Sequence, residues 1–200
     1  MPQPDYISAF RSAIAGNLEP DIHALFDKCM EKIGFVPNVF AAYGDKANRL
    51  RNFRAMFNEL MLAPSGLSKL EREMVAVTVS CANHCYYCLV AHGQAVRALS
   101  GDPELGEMMA LNYRVAKLDA RQTAMLDFAW KLTLTPHDVR EADRDRLKGV
   151  GLSEDDIFDL CEVAAFFNYT NRVAIGTDMI PNREYHGLNR PKPFVPPAKA

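Results

Sequence analysis

Apolar residues recur at intervals of three and four along most of this chain, and this spacing constrains the fold more than any other feature. Pro20 suits the first turn of a helix and Gly34 its end, and the residues between them show one apolar face. The same spacing predicts further helices at 45–62, 103–114, 119–133, 136–148 and 153–179.

A serine and a glutamate mark the start of another helix. Ser68 and Glu71 have the spacing of a capping box. The run 74–79 is rich in β-branched residues and has strand propensity of its own. The cap precedes this run, however, and no second strand is available to pair with it. We therefore predict an all-α fold, with a bend at 83–84 before a helix at 85–99.

Two cysteines and a histidine stand close together at the start of that last helix. Cys85, Cys88 and His92 form C-x-x-C with a histidine four residues on. On a helix the three side chains share an arc of roughly 60°. C-x-x-C spacing lowers a thiol pKa from about 8.5 into a reactive range. The motif predicts a redox-active dithiol with an imidazole that takes a proton from it.

A carboxylate interrupts the apolar face of the preceding helix. Glu73 lies beside Met74 within a stripe that has the spacing of a buried face. A buried carboxylate needs a partner or a raised pKa. We interpret Glu73 as a proton acceptor or relay for the thiols and His92. The alternative is a structural ion pair with Arg97 or Arg172.

The overall composition excludes several classes of protein. A formal net charge of −2 provides no basic surface for nucleic acid or for an anionic membrane. There is no apolar run of about 18 residues that would span a bilayer. The first residues lack the pattern of a signal peptide, so we expect a cytoplasmic protein. Cysteines there rarely form structural disulfides, and Cys29 and Cys161 fit apolar helix faces as inert core residues.

Two other chemistries use the same cysteines. Cys81, Cys85, Cys88 and His92 supply a Cys₃His ligand set for zinc if the chain bends at 83–84. The C-x3-C-x2-C spacing also imitates the cluster motif of radical SAM enzymes, but these have alternating strands that this chain lacks. We expect no metal and no other cofactor.

The chain is predicted to form one domain over 1–182, with its central motif at 67–100. A Pro-rich segment at 183–200 follows, either a disordered tail or an arm on a neighbouring subunit. Leu-Ser pairs and the pair Asn83 and Asn168 recur at an offset of 85 residues, which is compatible with an internal helical duplication. We expect a homo-oligomer that buries part of the aromatic and methionine surface.

The spacing Glu-x11-Cys-x2-Cys-x3-His in a helical chain resembles the alkylhydroperoxidase AhpD-like branch of the carboxymuconolactone decarboxylase superfamily. The resemblance is greatest to its peroxidase-related members. It implies a helical bundle that assembles as dimers, trimers or hexamers. It also implies reduction of hydroperoxides, an antioxidant activity, by a cysteine pair that an external dithiol restores. No metal or haem takes part.

The resemblance also implies a role for each residue of the motif. Cys88 is the peroxidatic thiol, Cys85 the resolving thiol, His92 the base and Glu73 part of the proton relay. A helix N-terminus, by contrast, favours the thiolate of Cys85, so the order of attack stays open. The family has a histidine where this chain has Tyr87.

Tyr87 and His84 are candidates for substrate contact, with packing and solvent exposure as the alternatives. Two other functions also stay open. The dithiol can serve as a redox sensor or disulfide exchanger without peroxidase turnover. The chain can also be a cofactor-free enzyme similar to the lactone decarboxylases, which lack the C-x-x-C.

Overall fold

The computed structural model describes residues 3–190, and this part of the chain is helical apart from its connections. It contains no β-strand, only an isolated bridge between Ser8 and Arg11. None of its helices has the length and apolar character needed to cross a membrane. The helices are α1 (Pro20–Ile33), α2 (Asn38–Tyr43), α3 (Ala47–Leu62), α4 (Lys69–Ala82), α5 (Tyr86–Ser100), α6 (Pro103–Asn112), α7 (Ala120–Leu134), α8 (Glu141–Gly149), α9 (Glu154–Gly176) and α10 (Glu184–Gly187).

The central helix is α4, which packs against α5, α6, α7 and α9. Its side chains from Arg72 to Ser80 are buried on every face. A helix that is apolar all round lies inside a domain. This burial explains why the run 74–79 looks like a strand from its composition, and the predicted all-α fold is confirmed.

A smaller cluster formed by α1, α2 and α3 adjoins this core. Ile22, Phe26 and Leu50 lie at its centre, and Phe53 packs against both clusters. Arg72 attaches α3 to α4, because its Nη1 donates to the carbonyls of residues 60 and 63 at 3.0 and 2.9 Å. These contacts hold α3 beside α4 and α9, where it contributes to the functional site.

The turn between α4 and α5 has the predicted bend. Ser68 and Glu71 form the capping box that starts α4. His84 adopts a left-handed backbone conformation with φ 55°, which is uncommon for a residue with a side chain. The backbone N–H of Cys85 then donates to the carbonyl of Ser80 at 2.9 Å. Cys85 thereby becomes the N-cap of α5, and its side chain returns towards the core.

One predicted helix begins later than the sequence pattern indicates. Thr135 and Pro136 predict a helix over 136–148, but residues Pro136–Asp138 form a short 3₁₀ turn and α8 starts at Glu141. The carboxylate of Asp143 accepts from the backbone N–H of Arg140 at 2.8 Å, and this cap restarts the helix.

The first part of the Pro-rich segment folds back onto this chain. The sequence analysis assigned no helix there, whereas Glu184–Gly187 forms one turn, α10, against α5. Arg97 fixes this turn, because its guanidinium donates to the carbonyls of Tyr185 and Leu188 at 2.9 to 3.2 Å. Residues 191–200 of the predicted tail lie outside the described residues.

One of the residue pairs at an offset of 85 is in direct contact. Asn83 donates to the side-chain oxygen of Asn168 at 3.0 Å. Ser68 and Ser153 each begin a helix with a capping box. The α9 helix, however, runs without interruption where the first unit breaks between α4 and α5. An internal duplication stays a prediction.

Candidate active site

The central motif brings Glu73 and His92 into direct contact. The Nδ1 of His92 lies 2.7 Å from Oε2 of Glu73, and both side chains are largely buried. A carboxylate beside Nδ1 holds the proton on that nitrogen, which leaves Nε2 free to accept another. The edge of the imidazole meets the Phe167 ring at a centroid distance of 4.6 Å. The ring is therefore fixed in orientation and tautomer.

The alternative ion pairs of Glu73 do not form. Arg97 is occupied with the carbonyls of the C-terminal segment. Arg172 donates to the backbone and side-chain oxygens of Asn168, both at 2.8 Å. Glu73 thus contacts an imidazole instead of a guanidinium.

The two thiols of the motif are buried and interact with each other. Cys85 is 1% exposed and Cys88 is 3% exposed, and both are free cysteines. A hydrogen bond from Cys88 lowers the pKa of Cys85, and backbone N–H groups at the start of α5 act in the same direction. The same interaction, together with burial, raises the pKa of Cys88 well above its usual value. Cys85 is therefore the more acidic thiol of the pair.

A polar network from α9 lies behind Cys88. Asn171 is fully buried, and its Nδ2 donates to Oγ of Ser80 at 3.0 Å. Its Oδ1 accepts from Asn83 at 2.9 Å. Hydrogen bonds from Asn171 and Thr170 favour the thiolate of Cys88, although they do not offset its contact with Cys85. The sequence analysis missed both residues, and an asparagine in the apolar run of α9 was the one available signal.

A cavity of about 270 Å³ opens beside the thiols. Cys88, His92 and Glu73 line it, whereas Cys85 does not. The rest of its wall is almost entirely apolar or aromatic and comes from five parts of the chain. It consists of Pro37, Val39, Phe40, Tyr43, Phe53, Phe57, Tyr87, Ala91, Gln94, Ala95, Phe166, Phe167, Thr170, Val173, Ala174, Met179 and Tyr185. A ligand in this cavity reaches Cys88 before Cys85.

The two candidates for substrate contact differ in position. Tyr87 lines the cavity, and its hydroxyl accepts from the backbone N–H of Val39 at 3.0 Å. Burial raises the pKa of Tyr87 well above its usual value, so the phenol stays neutral. His84 is exposed in the turn before α5 and is not part of the cavity wall.

The other cysteines lie apart from this pair. Burial raises the pKa of Cys29, Cys81 and Cys161. The thiol of Cys81 is directed to the carbonyl of Leu111 at 3.7 Å. No three or more His, Cys, Asp or Glu side chains within 3–190 are arranged to hold a metal ion. The zinc ligand set that includes Cys81 is therefore not assembled.

Comparisons with known proteins agree with this architecture. Residues 49–129 match the model of the carboxymuconolactone decarboxylase family. A search of curated proteins found no match. An uncharacterized peroxidase-related protein from Silicibacter sp. TM1040 is 54% identical, with a TM-score of 0.91, and the match covers 95% of this chain and 100% of that chain.

Two further structures are similar over most of their length. One is an uncharacterized peroxidase-related protein with an alkylhydroperoxidase AhpD core from Ralstonia eutropha JMP134. It is 40% identical, with a TM-score of 0.83, over 86% of this chain and 91% of that one. The other is the debrominase Bmp8, 16% identical with a TM-score of 0.71 over 84% and 89%, a likeness that shows a shared fold alone. The chain belongs to the AhpD-like, peroxidase-related branch of the carboxymuconolactone decarboxylase superfamily.

Proposed function

We propose that this protein is a thiol peroxidase that reduces organic hydroperoxides through Cys88 and Cys85. The observation that supports this most is the cavity in which Cys88 and His92 share one apolar wall, with Glu73 bound to the imidazole. A nucleophile, a positioned base and a chamber for an apolar substrate are the parts that this reaction requires.

The reaction begins with one proton already removed from the thiol pair. The pair is ionised at Cys85, and His92 accepts the proton that the pair releases. When a hydroperoxide enters, Cys88 gives its proton to Cys85 and attacks the distal oxygen of R-O-O-H. The O–O bond breaks, Cys88 becomes a sulfenic acid, and His92 returns its proton to the alkoxide, which leaves as an alcohol. Glu73 stabilises the imidazolium during this exchange.

The second half of the reaction restores the thiols. Cys85 attacks the sulfenic sulfur of Cys88, an S–S bond forms, and water leaves. An external dithiol then reduces the disulfide by two exchange steps and is itself oxidised. Each cycle thus converts one hydroperoxide and one dithiol into an alcohol, water and an external disulfide.

The burial of both sulfurs favours a peroxidase over a disulfide exchanger. Cys85 and Cys88 expose 1% and 3% of their surfaces, so a folded protein substrate cannot approach either sulfur in this conformation. A small hydroperoxide enters through the cavity instead. The same argument predicts that a small dithiol is a better reductant than the dithiol of a folded protein.

Peroxide consumption with dithiothreitol as the donor tests the proposal. Cumene hydroperoxide turnover should disappear in Cys88→Ser. Cys85→Ser, reduced and then freed of dithiothreitol, should consume about one equivalent of hydroperoxide and leave a sulfenic acid that dimedone traps on Cys88. Cys161→Ser serves as the control with normal turnover. Wild-type consumption no faster than that of Cys88→Ser would overturn the peroxidase assignment.

A further inference from the structure

A second, larger cavity lies beside the active site. Its volume is about 610 Å³, and it is bounded by α2, α3, α9 and the N-terminal residues 8–11. The two cavities share five wall residues, namely Tyr43, Phe53, Phe166, Val173 and Met179. These five side chains form a shared layer along which this outer cavity adjoins the chamber that contains Cys88.

The shared layer is mainly aromatic. Phe53 stacks on Tyr43 at a centroid distance of 5.5 Å and tilts against Phe166 at 5.6 Å. Aromatic faces of this kind provide an apolar surface along which a hydrocarbon chain can lie. The layer thus links the two cavities by an apolar path that ends at the thiols.

The wall of the outer cavity also contains three cations, Arg11, Lys46 and Arg49. No Asp or Glu is among the described residues that line this cavity. Asp45, which is outside the wall, lies 2.5 Å from Arg11 and 3.5 Å from Lys46. Arg49 has no ion pair with a carboxylate anywhere within residues 3–190. One carboxylate against three cations leaves a positive charge that an anionic ligand can neutralise.

Arg49 also lies next to the shared layer. Burial and a hydrogen bond with Tyr169 raise the pKa of Tyr43, while the positive charge of Arg49 acts in the opposite direction. Arg49 and Tyr43 both line the outer cavity, whereas Arg49 does not line the chamber that contains Cys88. The cation without an ion pair thus belongs to the outer cavity alone.

We propose that the outer cavity binds the carboxylate of an amphipathic substrate, and that the preferred substrate is a hydroperoxy acid with an apolar chain. Arg49 and Lys46 hold the carboxylate, the chain lies along the aromatic layer, and the hydroperoxide reaches Cys88. The substrate preference rests on the proposed peroxidase function, whereas carboxylate binding in the outer cavity does not.

Binding is tested first, without turnover, by calorimetry with decanoate and 1-decanol on the full-length protein. Both probes have the same chain length, and only decanoate is charged. Decanoate should bind at least about five-fold more tightly, in line with charge-assisted hydrogen bonds at a partly exposed site. The preference should fall as ionic strength rises.

Two substitutions distinguish the effect of the cavity cations on decanoate binding from that of the general surface charge. Arg49→Gln should weaken decanoate binding by roughly three-fold or more, and adding Lys46→Gln should abolish the preference over decanol. Arg54→Gln, on the same helix but outside both cavity walls, is the matched control and should change neither affinity. Equal affinities for the two probes, or equal effects of Arg49→Gln and Arg54→Gln, would refute the carboxylate site.

Turnover then tests the substrate preference. A hydroperoxydecanoic acid should have a lower KM than its methyl ester, and Arg49→Gln should raise the KM of the acid alone while kcat stays unchanged. Turnover of both compounds with equal KM would refute the substrate preference but not the peroxidase function. Decanoate binding without any peroxide turnover would instead refute the peroxidase function but not the carboxylate site.

Discussion

Replacing Glu73 by glutamine is the sharpest test of the proton relay. Glu73 and His92 lie 2.7 Å apart with 11% and 16% of their side chains exposed, so the contact is a charge-assisted hydrogen bond shielded from water. Glutamine has the same shape and keeps a hydrogen bond, but it removes the negative charge that stabilises the imidazolium. The α4 helix should therefore stay folded while the chemistry slows.

The size of the effect follows from hydrogen-bond energies. A bond to a charged group contributes about 1.5–3 kcal/mol and a neutral one about 0.5–1.5 kcal/mol. The midpoints of these ranges differ by about 1.25 kcal/mol, which corresponds to roughly an eight-fold loss of rate. The midpoint of thiolate formation at the Cys85–Cys88 pair should also rise, because a charged His92 lowers the pKa of Cys85.

Peroxide turnover and thiolate absorbance near 240 nm measure the two effects. Glu71→Gln is a matched control, since Glu71 lies on the same helix and pairs with Arg121 at 2.8 Å, away from the thiols. We also expect His92→Ala to act in the same direction, and the double variant to be no worse than the poorer single one. Normal turnover and an unchanged pH midpoint of thiolate formation in Glu73→Gln would mean that Glu73 has only a structural role beside His92.

Three further outcomes are expected. The pKa of Cys85 is lowered, so its alkylation by iodoacetamide, followed by peptide mapping, should reach half of its own maximal rate below the pH of about 8.5 expected of an ordinary thiol. Burial limits the absolute rate at Cys85, so the pH midpoints are compared, and a midpoint no lower than those of Cys29, Cys81 and Cys161 would contradict this. The buried hydroxyl of Thr78 has no hydrogen-bond partner within 3–190, whereas that of Thr133 donates to a carbonyl at 2.8 Å. In urea denaturation, Thr78→Val should therefore leave the free energy of unfolding unchanged or raise it, whereas Thr133→Val should lower it by about 1 kcal/mol. The reverse order would contradict this difference in hydrogen bonding between the two hydroxyls. Light scattering should give a homo-oligomer, and a mass of 22.4 kDa at micromolar concentration would refute it.

The sequence was most informative where a local signal fixes the backbone. The capping box at Ser68, the bend before Cys85 and the left-handed Gly101 after α5 are all set by residues within one turn. Glu73 was recognisable as a site candidate because a lone carboxylate in a buried stripe needs a partner. The sequence alone left several possible partners for Glu73, because the choice among them depends on how α4 packs against α5.

The rest of the site depends on packing between distant segments. Phe57, Phe167 and Tyr185 line the cavity with Cys88, yet they come from α3, α9 and α10. Phe57 and Phe167 have ordinary helical environments in the sequence, and Tyr185 lies in the segment predicted as a tail, so nothing local identifies them. The start of α8 was misplaced for a related reason, because Thr135 and Pro136 are a good cap and the competing cap at Asp143 lies seven residues after Pro136.

The C-terminal turn has a consequence for the lifetime of the reaction intermediate. Arg97 donates to the carbonyl of Tyr185, and the Tyr185 ring forms part of the cavity wall. This ring also makes a T-shaped contact with Phe35, with ring centroids 4.9 Å apart. This turn thus forms part of the wall of the chamber in which, by the proposed mechanism, a sulfenic acid on Cys88 reacts with Cys85. Truncating the chain at residue 182 would open that chamber to a second peroxide, and hyperoxidation of Cys88 to a sulfinic acid would then compete with disulfide formation.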